Sequence, residues 1–164
     1  MRATKGDEVT ASSIMQEAMD WRAQLGDPMW EPEEFAPAAL AGRIEAGAEL
    51  YFAKVKGEPV GTMIFQWEDE LFWPDVPSGE SAFIHRLAVR RAVARSGVSK
   101  ALIEWAKDTA KRAGRKYLRL DCDPKRPRLC AFYESAGFVF HSLREIGEYT
   151  VARYEIRLDA SADG

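Results

Sequence analysis

The residues best suited to chemistry lie in one stretch, Leu87 to Trp105, which reads LAVRRAVARSGVSKALIEW. It runs from a β-rich segment into one with helical periodicity. The first four N–H groups of a helix have no acceptor inside the helix. That end also carries a partial positive charge, so a helix start is an anion site, most often for phosphate. Gly97 accepts backbone torsions that a β-carbon resists and lets an anion come close. Ser96 or Ser99 can add a hydroxyl donor. Arg90, Arg91, Arg95 and Lys100 surround the same turn, a cation density that suits a pyrophosphate with a further ribose phosphate. A solvated surface also carries basic strand-to-helix loops, and on the loop alone both readings stand. Two residues before Leu87 is His85, and histidine is the residue type that suits proton transfer near neutral pH. The plainer reading of His85 is a strand histidine that satisfies one hydrogen bond.

A strand and a helix must position these groups. Ser81 to Val89 (SAFIHRLAV) reads as a strand, with Phe83, His85, Leu87 and Val89 on one face and Ile84, Arg86 and Ala88 on the other. Val98 to Ala113 reads as a helix, because Val98, Ala101, Leu102, Trp105, Ala106, Thr109, Ala110 and Ala113 recur at one-face spacing. Gly114 stops it. Upstream, Val9 to Leu25 has helical spacing and Gly26-Asp27-Pro28 ends it. Pro32-Glu33-Glu34 opens a second helix reaching about Ala46, since proline suits the first turn and acids suit the positive end. Glu49 to Lys56 and Pro59 to Trp67 are β-rich and flank Gly57-Glu58, which predicts a hairpin. Glu68 to Glu80 is a loop. Lys116 to Leu120 is a strand, Pro127 to Ala136 a helix ended by Gly137, and Phe138 to Arg144 with Thr150 to Leu158 a closing pair of strands. Met1 to Ala3 reads as the stub of another strand, and residues 159–164 as a disordered tail. The central strand–helix–strand unit implies parallel pairing and the hairpins imply antiparallel pairing. The expected fold is α/β (α+β), a mixed, twisted central sheet of about six to seven strands flanked by four helices, in one domain over residues 1–158.

Length and composition set limits on function. A chain of 164 residues fits one domain. Hydrophobic residues at 46% and charged residues at 30% are globular proportions and argue against general disorder. A net charge of −3 speaks against a nucleic-acid binder relying on overall positive charge. The two cysteines, Cys122 and Cys130, form no CxxC pair and are too few for a disulfide framework. No apolar run approaches roughly 18 residues, and the first ten residues contain no apolar core of a signal peptide. No membrane association and a reduced cytoplasmic setting are expected. A metal is not expected, because no set of His, Cys and carboxylates has ligand spacing. Cys122 reads as a small buried residue.

Ala94-Arg95-Ser96-Gly97-Val98-Ser99 resembles the acetyl-CoA motif of the GNAT superfamily, Arg/Gln-x-x-Gly-x-Gly/Ala. Gly97 matches it, and Ser99 replaces the small residue conservatively. Ala94 stands where the motif has Arg or Gln, with Arg95 beside it. AFYESAGF (Ala131 to Phe138) is similar to the superfamily's second signature, Asn-x-x-Ala-x-x-Leu/Phe-Tyr-x-x-x-Gly-Phe. Tyr133, Gly137 and Phe138 match; Arg126 occupies the Asn position and Leu129 the Ala position. LRLDC and SAFIHRLAV also look like this superfamily. The resemblance covers Leu50 to Phe140.

The resemblance implies that two parallel strands splay apart and that the pantetheine arm of acetyl-CoA lies in the gap. Backbone groups of Leu87, Ala88 and Val89 would bond that arm. The N–H groups of Arg95, Ser96, Gly97, Val98, Ser99 and Lys100 would hold the pyrophosphate. Tyr133 would protonate the leaving thiolate, although its ring also reads as an aromatic anchor. His85 would accept the amine proton, a part that a histidine or glutamate of this strand plays in some members, and the Val89 N–H would face the oxyanion. His141 reads as a surface or edge residue. Glu31, Glu33, Glu34, Glu68, Asp69, Glu70 and Asp75 would relay a proton through water, and with Trp30, Trp67, Phe72 and Trp73 would form an acidic, aromatic rim attractive to a cationic amine, or else a plain solvated surface.

The implied activity is N-acetyl transfer from acetyl-CoA to a primary amine on a small molecule, by direct attack in a ternary complex. Acetylation of a protein lysine or N-terminus is the alternative within that class. A CoA-binding sensor without catalysis, or a domain whose basic loop holds another phosphate ligand, is the alternative outside it. No nucleic acid is expected as a partner, and a homodimer stays open because the superfamily is often dimeric.

Overall fold

Proline and glycine draw most of the element boundaries. The computed structural model describes residues 7–26 and 30–158; the strand stub at Met1 to Ala3 and the tail from 159 onward lie outside the described residues. The order is α1 (Glu8–Gln24), α2 (Pro32–Phe35), α3 (Pro37–Glu45), β1 (Glu49–Val55), β2 (Glu58–Gln66), β3 (Ser81–Val89), a 3-10 turn (Arg91–Val93), α4 (Val98–Arg112), β4 (Tyr117–Cys122), α5 (Pro127–Ser135), β5 (Val139–Ile146) and β6 (Tyr149–Arg157). Among the described residues five α-helices therefore stand where four were expected. The single helix expected from Pro32 to about Ala46 is two, because a residue preceding proline is pushed out of the helical region. Ala36, before Pro37, takes φ −58° and ψ 151°. The β1–β2 turn sits one residue earlier than read, on Lys56 (φ 52°) and Gly57 (φ 83°), the paired positive torsions of a two-residue hairpin.

The six strands among the described residues form one mixed sheet in the order β1-β2-β3-β4-β6-β5. β1 and β2, β4 and β6, and β5 and β6 pair antiparallel, while β3 and β4 pair parallel. No helix among the described residues is long and apolar enough to cross a membrane.

The chain forms two compact units. One comprises Met1–Phe65 and Arg86–Leu102, the other Gln66–His85 and Ile103–Gly164, so β3 and α4 each run from one unit into the other. In the first, α1 supplies Ala11, Ile14, Met15 and Met19 to a core with Phe35, Leu40, Leu50, Phe52, Ile64 and Ala88. Each large apolar side chain buried there contributes about 2 kcal/mol. In the second, Phe83, Ile103, Ala106, Leu118, Leu120 and Phe138 are buried, together with Trp73 from the loop after β2.

Candidate active site

In the first unit the basic loop has an open end. Arg95 (φ 67°) and Gly97 (φ 92°) both take left-handed backbone just before α4. The first helical bond runs from Ala101 N–H to Gly97 O at 2.9 Å, so the N–H groups of Val98, Ser99 and Lys100 precede the helix's own ladder. A β-carbon on Gly97 would meet nothing within 4 Å, which leaves room for an anion. Ser96 is used otherwise than expected: its N–H donates to Val93 O at 3.1 Å, and its hydroxyl donates to the same oxygen.

The four cations also divide. Arg90 bonds Glu17 at 3.2 Å and the Ser13 hydroxyl at 3.2 Å. Arg91 lies over the Trp21 ring at 3.8 Å, and its N–H donates to Glu17 at 2.6 Å. Both therefore fasten the loop to α1. Arg95 and Lys100 are exposed and make no ion pair among the described residues. Two cations beside an open helix start fit a diphosphate.

Gly61 explains how α4 comes so close to the sheet. A β-carbon there would lie 2.9 Å from Val98 Cγ1, 3.1 Å from Leu102 Cδ1 and 3.3 Å from Val89 Cγ1. Only a glycine on β2 lets the first turn of α4 pass at this height.

In the second unit the parallel ladder of β3 and β4 runs from Ser81↔Tyr117 to Phe83↔Arg119, although both strands continue. Past that point the side chains of His85 and Asp121 face each other. His85 Nδ1 is 3.6 Å from Asp121 Oδ1, and His85 Nε2 is 2.9 Å from Asp69 Oδ2. The next residue, Arg86, has φ 55°, so the strict alternation of faces read along Ser81 to Val89 is interrupted there. Asp69 accepts a second bond from Phe72 N–H at 3.0 Å, and the Phe72 ring lies tilted against the imidazole at 5.8 Å. Burial alone would raise the Asp69 pKa, but the hydrogen bond and charge of His85, with the N–H groups of Phe72 and Leu71, lower it. An ionised Asp69 accepts a hydrogen bond from Nε2–H and leaves the Nδ1 lone pair as the proton acceptor, facing the Asp121 side.

No sequence spacing groups these three residues, and the sequence offers Asp69 only as one of seven acids of a rim or water relay. Their nitrogen and oxygen atoms gather within 4.8 Å of one another. The absence of ligand spacing, on which the expectation of no metal rested, therefore does not carry that argument.

Tyr133 sits on α5, half-buried, with its ring edge-on to Phe132 at 5.3 Å and Phe138 at 5.9 Å. Arg126, at the expected Asn position, precedes α5 and lies 3.5 Å from Asp123. His141 is on β5, exposed, edge-on to Trp73 at 5.1 Å and 3.8 Å from Glu155.

Of the seven acids expected at the rim, Glu34, Glu68 and Asp75 pair with arginine. Glu34 meets Arg86 at 2.8 Å and accepts the Glu31 N–H in a capping box. Burial raises its pKa, and these bonds with the charges of Arg86 and Arg43 outweigh that to lower it. Glu68 accepts Ser78 and Gly79 and faces Arg115 at 3.6 Å. Asp75 holds Arg153 at 2.7 Å. Trp30, Trp67 and Trp73 carry arginines on their faces. Glu33 and Glu70 make no ion pair among the described residues.

Residues 13–138 match the model of the acetyltransferase (GNAT) family. The chain is 30% identical over 142 residues to the uncharacterized N-acetyltransferase YesJ of Bacillus subtilis (strain 168), covering 82% of this chain and 77% of that protein. A GNAT-family acetyltransferase of Listeria monocytogenes has the same fold, with a TM-score of 0.74 at 24% identity, covering 95% of this chain and 92% of that one. So does YncA of Salmonella typhimurium, solved with its cofactor acetyl-CoA, with a TM-score of 0.65 at 16% identity, covering 100% and 95%.

Proposed function

The chain belongs to the acetyltransferase (GNAT) family and is an acyltransferase, and on that premise we propose that it moves the acetyl group of acetyl-CoA to the primary amine of a small molecule by direct attack in a ternary complex. The observation that carries this reading is the open start of α4, where Gly97 leaves space and Arg95 and Lys100 make no ion pair among the described residues. Acetyl-CoA supplies the activated acyl group as a thioester. In the proposal the N–H groups of Gly97, Val98, Ser99 and Lys100 hold its diphosphate, with Arg95 and Lys100 neutralising the charge. Ser96 serves the loop, since its donors already reach Val93. Backbone groups of Leu87, Ala88 and Val89 bond the pantetheine arm, and the Val89 N–H faces the oxygen that gains charge during attack.

An amine must lose a proton to finish attack, and the leaving thiolate must gain one. His85 Nδ1 accepts the first, directly or through a water, and Asp69 and Asp121 stabilise the imidazolium that forms. Tyr133 gives its phenolic proton to the second and recovers it from solvent. With Glu34, Glu68 and Asp75 paired with arginine, Glu31 capping α2 and Asp69 bonded to His85, Glu33 and Glu70 are the carboxylates of the expected rim that would attract a cationic acceptor.

Calorimetric titration with acetyl-CoA, followed by a thiol-release screen of amines, tests the reading. Dissociation constants on the order of micromolar, about −8 kcal/mol, with thiol release for one amine class, support it. Binding without release across a broad amine and peptide panel overturns transfer in favour of a CoA-binding module. No binding overturns the cofactor assignment.

A further inference from the structure

Cys122 and Cys130 take no part in the proposed transfer, yet their Sγ atoms lie 3.5 Å apart. Cys122 ends β4 and Cys130 stands in the first turns of α5. The connection between them is tightly bonded. Lys125 N–H donates to Asp123 Oδ1 at 2.9 Å, Arg126 N–H donates to Asp123 O at 3.1 Å, and Cys130 Sγ lies 3.7 Å from the same carbonyl. These bonds fix the facing of the two sulfurs. We propose that Cys122 and Cys130 form a paired thiol site that closes to an intramolecular disulfide when the folded protein meets hydrogen peroxide.

A disulfide bond is about 2.05 Å long, so closure needs the sulfurs to approach by only about 1.5 Å, within reach of side-chain torsions and a small shift of the α5 start. The order of events follows from exposure. Cys122 is buried and Cys130 is not. Burial first, then the bond and charge of Cys130 and the charges of Asp121 and Asp123, push the Cys122 thiol well above its usual range. Cys130 is therefore oxidised first. Its thiolate attacks one peroxide oxygen, the O–O bond breaks, and Cys130 becomes a sulfenic acid as hydroxide leaves and takes a proton to become water. The Cys122 sulfur then attacks the Cys130 sulfur, the S–O bond breaks, and a second water leaves with the Cys122 proton. The two thiols lose two electrons together, and peroxide gains them. The product ties the end of β4 to the helix that carries Tyr133.

The chain has two cysteines, so mass spectrometry reads the state directly. Folded protein is treated with a slight excess of peroxide, denatured, and alkylated with N-ethylmaleimide. The expected product is a monomer two hydrogens lighter than the reduced chain, taking up no maleimide, with uptake of two restored by dithiothreitol. In Cys122→Ser, dimedone traps the sulfenic acid stranded on Cys130, while Cys130→Ser labels poorly. Retained uptake of two maleimides, oxygen adducts without a bridge, or disulfide-linked dimers as the main product would overturn the pairing. Stronger dimedone labelling of Cys130→Ser would overturn the order. None of these readouts depends on acetyl transfer.

Discussion

Asp69 decides which nitrogen of His85 is open to accept a proton. Its carboxylate accepts from Nε2 at 2.9 Å and its pKa is lowered. It therefore stays ionised through the ordinary carboxylate range and loses the charge only as pH falls through its lowered value. Asp69→Asn keeps an oxygen for the Nε2 proton but removes the charge that stabilises the imidazolium; Asp69→Ala removes both. Turnover should fall on the order of tenfold in Asn and further in Ala, with acetyl-CoA affinity unchanged, as steady-state kinetics and calorimetry would read. Equal turnover in wild type and Asp69→Ala would return His85 to a packing role. Tyr133 permits a similar separation. Tyr133→Phe keeps both ring contacts with Phe132 and Phe138, so the melting temperature should hold while turnover drops about tenfold. A variant with full activity would make Tyr133 an anchor only.

At the scale of elements, the sequence was legible where one force dominated. The apolar stripe of α4 and the β-rich run of β3 gave their bounds to within a residue, because periodicity and burial agree there. The second helix was misread because the apolar pattern of Phe35, Leu40 and Ile44 crosses Pro37 without a break, while the backbone cannot. The pairing of the loop acids with Arg86, Arg115 and Arg153 was illegible, since partners so distant in sequence leave no local pattern. The same holds for Asp69 and His85, which only the course of the loop after β2 brings together.

Two glycines near α4 should fail for different reasons. Gly97 has φ 92° and open space around it, so Gly97→Ala meets only backbone strain of about 1 kcal/mol and should mainly weaken acetyl-CoA binding. Gly61→Ala meets Val98 Cγ1 at 2.9 Å, a stiff β-branched neighbour, and overpacking of this kind costs about 1–3 kcal/mol. Gly61→Ala should therefore lower the melting temperature more than Gly97→Ala does, and it should weaken acetyl-CoA binding by displacing the helix start. The reverse order of stabilities would contradict the close approach of β2 and α4.

The response of the whole molecule to acid turns on the loop that carries Asp69. Its Trp73 is 2% exposed and lies between two buried guanidiniums, Arg119 at 5.0 Å and Arg153 at 4.5 Å. Arg119 is held by Glu80 and Glu155 at 3.0 Å each. Arg153 is held by Asp75 through two bonds, 2.7 and 3.1 Å, and by the Phe72 carbonyl at 3.1 Å. The Arg153 hydrogen bond is the main cause that brings the Asp75 pKa from 3.8 down to about 2. A carboxylate depressed on folding gives stability that is fully present above its unfolded pKa and is lost as pH falls through the folded value. The Asp75 contribution is therefore complete at neutral pH and disappears between about pH 4 and pH 2. Asp75→Asn removes it throughout and takes away the carboxylate that pairs with Arg153. Its melting temperature should drop by about 2–4 °C at pH 7, and the gap to wild type should close as pH approaches 2. Thermal melts followed by circular dichroism at stepped pH would show this convergence. A gap that stays constant down to pH 2 would mean that Asp75 supports the loop by shape and hydrogen bonding rather than by charge.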